Sequence, residues 1–220
     1  MWFRRDLRIA DHPALLAAID DAREGGGSVV PVFILDPALA AGAGSKRLAY
    51  LAASLRSLDQ SLKNSLHVLH GDPVDVLKEM QKRYDASRVH ISAEFERYGA
   101  ERDLRVEKAG IELVRTGSPY AIAPGRVRKP TDGTPYKVYT PFYKAWLVHG
   151  WRQPASTPKD FPLIAPKSED RNFPTWQVPE GTSIFEAGES AAHQRFSYFV
   201  ENILNSYDES RNMAGIDGTS

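Results

Sequence analysis

Charged side chains that could bind a ligand follow a short apolar run at the start of the sequence. Arginine and aspartate crowd the residues after the apolar pair Trp2-Phe3, at Arg4, Arg5, Asp6 and Arg8. In an open α/β sheet this place lies at the carboxyl end of a strand, where ligands bind. Charges this dense also need partners when they are buried. We interpret the cluster as ion pairs that tie the sheet to a helical domain, and we predict no catalytic role for it.

Motifs for nucleophilic, metal or phosphate chemistry are absent from the sequence. There is no GxSxG or HExxH motif, no GxGxxG follows a predicted strand, and Gly42-Ala-Gly44-Ser-Lys46 lacks the spacing of a phosphate-binding loop. His67 and His70 lie three residues apart in a predicted strand, so they lie on opposite faces and cannot share a metal ion. The residues alone predict neither a catalytic residue nor a metal site, and indicate only a nucleotide-binding-like domain.

The composition is that of an ordinary globular protein. The 220 residues include 28 Lys and Arg, 28 Asp and Glu, and no cysteine, which excludes disulfides, thiolate metal sites and thiol nucleophiles. A net charge of zero argues against a surface that is basic throughout, but not against a local basic patch. No apolar run approaches the roughly 18 residues of a membrane helix, and no signal peptide opens the chain. We therefore expect a cytoplasmic protein that does not contact a membrane.

Short apolar runs alternate with helical patterns over the first half of the chain. Strands are predicted at residues 2–3, 28–35, 66–69, 88–91 and 111–114, although Pro31 is unusual for a central strand. Helices are predicted after Asp11-His-Pro13 (with Asp11 as the cap), over 45–63, after Asp72-Pro73 and over 99–109. This alternation predicts an α/β fold with a doubly wound, five-stranded parallel sheet of the Rossmann-like kind.

The pattern changes after the predicted sheet. We assign residues 1–125 to the α/β domain and residues 126–189, which are rich in proline, to an extended linker with one short helix near 140–150. Residues 190–220 read as the start of a truncated helical domain, since an apolar stripe recurs at helical spacing over 191–204: Phe196, Phe199, Val200, Ile203 and Leu204. We expect that stripe to lack a cover and its helix to be loosely held.

Several strings, in order along the chain, resemble the DNA photolyase/cryptochrome family. They are WFRRDLR at residues 2–8, DHPAL at 11–15, VFILDP at 32–37, YKVYTPF at 136–142 followed by Ala145-Trp146, and GTS at 218–220 after Tyr207. The resemblance covers the chain from end to end. It implies a light-driven flavoprotein in which an α/β domain carries an antenna pigment and a helical domain holds FAD and the DNA lesion.

In that family, excited reduced flavin passes an electron to a pyrimidine dimer, which splits and returns the electron. The resemblance therefore implies the amino-terminal part of a deoxyribodipyrimidine photolyase, a carbon–carbon lyase that acts on UV-damaged DNA, mainly through the helical domain. Tyr207, Thr219 and Ser220 resemble contacts to the FAD phosphates. We expect the fragment alone to be inactive, and no obligate protein partner is predicted. The alternative is a cryptochrome, a blue-light photoreceptor of the same fold without repair activity.

The resemblance also implies an antenna site where the predicted strands end. Its candidate residues are Phe33, Asp36, Arg47, Glu94 and Glu96. Members that bind a folate antenna carry an Asn-Glu pair after the fourth strand, and this sequence has Tyr98-Gly99 there. A deazaflavin-like or flavin antenna is therefore expected rather than methenyltetrahydrofolate, with the two glutamates accepting hydrogen bonds from a polar tricyclic ring. A solvated acidic loop at a helix start is the alternative.

Overall fold

The computed structural model describes residues 1–213 and 215, and strands alternate with helices over the first 115 of them. The strands are β1 (Trp2–Phe3), β2 (Val32–Leu35), β3 (His67–His70), β4 (Val89–Ile91) and β5 (Leu113–Arg115). The helices are α1 (Pro13–Glu24), α2 (Pro37–Ala40), α3 (Ser45–Ser61), α4 (Pro73–Tyr84), α5 (Arg97–Lys108), α6 (Tyr139–His149), α7 (Glu189–Asn202) and α8 (Tyr207–Ser210). Short 3₁₀ turns lie at Ser168–Asp170 and Leu204–Ser206.

All described strand pairs are parallel, but they form two sheets rather than one. Hydrogen bonds join β1, β2 and β3 in the order β1-β2-β3, and separately join β4 to β5. The prediction of one five-stranded sheet was therefore wrong in this respect, although β1 and β4 lie side by side. The reason is the length of β1, which ends after two residues. Beyond it, the Arg4 side chain, instead of a backbone amide, donates to the Ser92 carbonyl after β4.

Alternate residues of β2 face two separate layers of helices. Phe33 and Leu35 pack into an apolar cluster with α1 and α3, whereas Val32 and Ile34 pack into a second cluster with α4 and α5. Side chains alternate across a strand, so both faces of the sheet are covered. Each fully buried aliphatic side chain contributes about 1.5–3 kcal/mol. The helices on both faces confirm the α/β fold.

Each of the three prolines that open helices follows the residue that caps the helix. Asp36 accepts from the Ala38 amide and Asp72 from the Val74 amide, both at 2.9 Å. In α1 the predicted cap, Asp11, was wrong. His12 Nδ1 accepts from the Leu15 amide at 3.2 Å instead. Asp11 has a φ of 47° and its carboxylate is occupied by the Ala155 amide and Arg152.

Residues 161–176 pack on the α/β core. Phe161, Leu163, Phe173 and Trp176 contact the cluster under α1 and α3. Parallel bridges join Val29, just before β2, to Leu163, and Val68 of β3 to Arg171. Asp170 is buried and accepts from the Tyr84 hydroxyl at 3.1 Å and from Arg83 at 2.5 Å. This part of the connector is therefore anchored by apolar contacts and by ion pairs.

Helix α7 is attached to the α/β lobe near its first residue. The Glu189 carboxylate accepts from the backbone amides of Ile9 and Ala10 at 2.9 and 3.0 Å. Gly188, with a φ of 105°, lies so close to Ser57 of α3 that a Cβ atom there would overlap the serine side chain. Along the predicted apolar stripe Ile203 is buried, but Phe196 and Leu204 are exposed. The stripe is thus only partly covered by described residues.

Candidate functional site

A large crevice opens at the carboxyl ends of β1, β2 and β4. Its volume is about 1340 Å³, and its walls include Phe33, Asp36, Arg47, Glu94 and Glu96. The structure therefore brings all five predicted antenna residues to one crevice, at the edge where open α/β sheets bind ligands. A smaller cleft of about 520 Å³ lies at the opposite ends of the strands and is lined by none of these residues.

Asp36 holds the wall of the crevice by using both carboxylate oxygens. One oxygen caps α2, and the other accepts a hydrogen bond from the Tyr98 hydroxyl at the start of α5. Burial and this hydrogen bond raise the pKa of Tyr98 to about 12. Tyr98 therefore stays protonated and links the β2 side of the crevice to the β4 side.

Glu94 belongs to a buried network of four charged groups. Its carboxylate lies 3.1 Å from Arg4 Nε and 3.4 Å from Arg102 Nη2, and both arginines also bond to Asp103, at 2.6 and 2.9 Å. All four side chains are at most 7% exposed. Burial, followed by the positive charge of Arg102, lowers the pKa of Arg4. Two cations and two anions balance here, so the network satisfies the requirement that buried charges be paired.

Trp2 packs against both arginines of this network. The guanidinium carbons of Arg4 and Arg102 are 5.0 and 4.8 Å from its ring centroid. Cations at this distance are attracted to the face of an indole. The network therefore fixes the aromatic floor of the crevice as well as its acidic wall.

Gly99 gives Glu94 the space that it occupies. A Cβ atom on Gly99 would overlap the Glu94 carboxylate. The Tyr98-Gly99 pair, noted in the sequence because it replaces Asn-Glu, therefore has a structural reason in this chain. The Tyr98 hydroxyl donates a hydrogen bond to Asp36, and Gly99, which has no side chain, leaves room for the Glu94 carboxylate.

The two remaining candidate residues lie on the rim of the crevice. Glu96 is exposed, 3.7 Å from Arg5 Nη1 and 3.5 Å from the Tyr120 hydroxyl. Arg47 is exposed near the start of α3 and makes no ion pair with any described residue. It is a cation that faces the crevice and remains available to an anionic group.

The cluster that follows β1 pairs mainly within the α/β lobe. Arg4 and Arg5 pair with residues 94, 96 and 103, and Arg8 lies 3.4 Å from Asp11. Asp6 lies 3.1 Å from His12. Burial alone would raise the pKa of Asp6, but hydrogen bonding and charge from His12 outweigh it and lower that pKa. The interpretation of these charges as a tie to a helical domain was therefore wrong for these pairs, because the nearest acidic partners lie beside the sheet.

The predicted FAD contacts are only partly described. Tyr207 begins α8, is partly exposed, and packs edge-on against Phe199 with ring centroids 5.6 Å apart. Thr219 and Ser220 lie outside the described residues. One tyrosine hydroxyl does not define a flavin site.

The two histidines of β3 lie on opposite faces of the strand, as predicted. His67 is fully buried between the Pro31 carbonyl and the Tyr84 hydroxyl, each at 3.1 Å, whereas His70 is exposed on the other face. Within residues 1–213 and 215, no three His, Asp or Glu side chains are grouped as metal ligands would be. The same residues include no helix long and apolar enough to span a bilayer.

Sequence reasoning missed Arg102 and Asp103 as part of the site. Arg102 contacts Trp2 and Asp103 contacts Arg4, each about 100 residues earlier in the sequence, and α5 is otherwise typical of a solvated helix. The feature of the sequence that could have identified them is their position at helical spacing from the buried residues of α5. Arg102 and Asp103 fall between Gly99 and Val106, on the face that is buried.

The fold, the crevice and the paired charges define an α/β lobe with an open crevice at the carboxyl ends of its strands. The family model described as DNA photolyase matches residues 1–161, and the chain belongs to the DNA photolyase family. It is 35% identical over its whole length to an uncharacterized 31.6 kDa protein of Synechococcus strain PCC 6716, of which it covers 80%. It is 30% identical to a deoxyribodipyrimidine photo-lyase of Synechococcus strain PCC 6301, of which it covers 48%.

Solved structures show the same relationship. A class III photolyase from Agrobacterium tumefaciens superposes with a TM-score of 0.78 at 26% identity over 99% of this chain and 47% of that one. A cryptochrome from Synechocystis gives a TM-score of 0.70 at 25% identity over 96% of this chain and 48% of that one. The chain therefore spans about half the length of the photolyases that it matches.

Proposed function

We propose that this chain is the pigment-carrying lobe of a deoxyribodipyrimidine photolyase, an FAD-dependent enzyme that splits pyrimidine dimers in UV-damaged DNA under light. The observation that carries the proposal is the match to photolyases over the whole chain at about 30% identity. The family model described as DNA photolyase, which matches residues 1–161, points to the same activity. In such an enzyme the flavin carries out the electron transfer, and the protein binds the flavin and the substrate, orients them and adjusts their electrostatic environment.

The test is repair by the natural protein that contains this sequence. The purified protein, loaded with reduced FAD, is illuminated with blue light in the presence of an oligonucleotide that carries one thymine dimer. Loss of the dimer supports a photolyase. Normal flavin loading without repair supports a cryptochrome photoreceptor instead. This second candidate function rests on the similarity to the Synechocystis cryptochrome structure.

The crevice supports a pigment with a flat ring system and an anionic tail. Aromatic side chains form part of its floor at Trp2 and Phe33, and Arg47 supplies a cation on the rim that pairs with no described carboxylate. Asp36 and Glu96 are acceptors for ring N–H groups, and Glu94 positions the arginines behind them. We propose a deazaflavin-like or flavin antenna in this place rather than methenyltetrahydrofolate. Such a pigment, when bound, would absorb light and pass the excitation to the flavin.

Arg47 provides a direct test of this pigment site. The chain is titrated with riboflavin phosphate, a deazaflavin or methenyltetrahydrofolate, and binding is followed by quenching of pigment fluorescence. Arg47→Ala should weaken binding of an anionic flavin by about tenfold or more, since a hydrogen bond to a charged group contributes about 1.5–3 kcal/mol. Lys46→Ala is the matched control, because Lys46 is an exposed cation that does not line the crevice. Equal effects of both variants, or tighter binding of the folate, would contradict the proposed site.

A further inference from the structure

Lysine and arginine are unevenly distributed along this neutral chain. Residues 1–118 contain 17 basic and 17 acidic residues. Residues 119–159 contain seven basic residues and a single acidic one, Asp132. Residues 160–220 contain four basic and ten acidic residues. The positive charge of the molecule is therefore concentrated in one segment of about forty residues, which we call the basic segment (residues 119–159).

Most cations of the basic segment have no acidic partner among the described residues. Arg152 pairs with Asp11 at 2.5 Å, and Lys129 lies 4.0 Å from Asp132. The other five make no ion pair with any described residue: Arg126, Arg128, Lys137, Lys144 and Lys159. Most arginines of the α/β lobe, in contrast, are paired with carboxylates. A local excess of unpaired cations attracts a polyanion.

The same segment exposes aromatic rings. Helix α6 buries none of its residues among the described parts of the chain. Tyr139 is 73% exposed and Tyr143 44% exposed, and their rings stack with centroids 5.8 Å apart and planes 12° from parallel. Trp151, also exposed, packs against Trp146. The outer face of the tyrosine pair is a flat platform between Lys137 and Lys144 in the sequence.

Cations that flank exposed aromatic faces are the combination that binds single-stranded nucleic acid. Phosphates pair with lysine and arginine, and unpaired bases stack on aromatic rings regardless of sequence. We infer that the basic segment is a binding surface for single-stranded DNA, with Lys137 and Lys144 on phosphates and Tyr139 under a base. Lys137, Tyr139 and Lys144 do not line the crevice, so this contact needs neither pigment nor light. Only the choice of DNA over RNA rests on the proposed function.

Binding is measured in the dark with the chain itself. A fluorescently labelled oligothymidylate and an undamaged duplex of the same length are titrated, and anisotropy is followed at several salt concentrations. We expect the single strand to bind more tightly than the duplex, with an affinity that falls steeply as salt increases. Because neither damage nor flavin is present, absence of binding would overturn this inference and leave the photolyase proposal untouched.

Variants assign the binding to this surface. Lys137→Ala/Lys144→Ala should reduce the log–log salt slope by about 1.4, at roughly 0.7 per phosphate contact on a single strand. Lys78→Ala/Lys82→Ala is the matched control, because it removes two exposed lysines of α4 that have no ion pair with described residues. The control should leave both slope and affinity unchanged. Equal losses in the two double variants would refute the assignment.

A tyrosine pair tests the stacking contact in the same assay. Tyr139→Ala should weaken single-strand binding by about tenfold without changing the salt slope, since a stacked base contributes about 1–3 kcal/mol. Tyr198→Ala, which removes an exposed tyrosine of α7, should have no effect. Two other outcomes would show that the basic segment serves another partner: self-association of the chain, or binding to phosphatidylserine vesicles as tight as binding to DNA. If the lysine variants abolish either association, the inference is wrong.

Discussion

Removal of Arg4 should destabilise the lobe far more than removal of its neighbour Arg5. The Arg4 side chain is 5% exposed and lies 3.1 Å from Glu94 and 2.6 Å from Asp103. Arg5 is 53% exposed and lies 3.7 Å from a carboxylate that is itself 63% exposed. Loss of one partner from a buried ion pair costs about 3–5 kcal/mol, whereas an exposed pair contributes about 0–1 kcal/mol.

The structure places Arg4→Ala at the lower end of that range. Arg102 still lies 3.4 Å from Glu94 and 2.9 Å from Asp103, so one cation remains for two buried carboxylates. We therefore expect Arg4→Ala to lower the free energy of unfolding by about 3 kcal/mol, and Arg5→Ala by less than about 0.5 kcal/mol. At about 2 kcal/mol per molar urea, the first change shifts the unfolding midpoint by about 1.5 M.

The assay is urea unfolding at neutral pH, followed by far-UV circular dichroism. A second substitution separates lost charge from lost packing. Asp103→Asn removes the excess negative charge that Arg4→Ala leaves behind, so the double variant should be more stable than the sum of the single effects predicts. Equal stabilities of Arg4→Ala and Arg5→Ala would refute the reasoning, and strict additivity of Arg4→Ala with Asp103→Asn would show that packing alone explains the loss.

Three further predictions concern single side chains. The folded pKa of Tyr98 is raised to about 12, so the stability that its protonated hydroxyl contributes should be present below about pH 10 and lost as pH rises towards 12. Urea unfolding midpoints measured across alkaline pH should therefore fall less steeply for Tyr98→Phe than for the unmodified chain. The folded pKa of Asp6 is lowered, so its contribution should be present above about pH 4 and lost as pH falls below it; Asp6→Asn should make acid unfolding less steep. Gly99→Ala should cost about 1–3 kcal/mol in thermal unfolding, since its methyl group displaces Glu94, whereas Gly42→Ala, which meets nothing, should change stability by less than about 1 kcal/mol.

The elements of this fold could be predicted from the sequence because their signals are local. Apolar runs located the strands to within a few residues, and the Asp-Pro pair at Asp72-Pro73 located the start of α4. Pro31 falls just before β2 rather than within it, which resolves the conflict that it posed in the sequence. The Pro31 carbonyl accepts a hydrogen bond from the His67 amide, as a strand residue would. Pro31 lies outside β2 because proline has no backbone N–H to donate to a neighbouring strand.

The arrangement of the site depends on contacts between distant parts of the chain, so the sequence alone did not show it. Glu94 was expected to contact a pigment, but its carboxylate is bonded to arginines eight residues later and ninety residues earlier. The Tyr98–Asp36 hydrogen bond joins residues 62 positions apart. The carboxyl-edge location of the crevice, in contrast, follows from the parallel α/β topology, and for that reason the sequence could bring the five antenna candidates to one crevice.

The segment from residue 161 to 176 changes where this lobe can be cut or fused. Since Phe161, Leu163 and Trp176 cover the cluster under α1 and α3, and Asp170 satisfies Arg83 from outside the first 125 residues, the folding unit is discontinuous in sequence. A shortened chain that ends at residue 125 would leave part of the cluster under α1 and α3 exposed to solvent. Insertions are tolerated better in the exposed loop at residues 124–137, so a tag or a recombined domain belongs there rather than downstream of it.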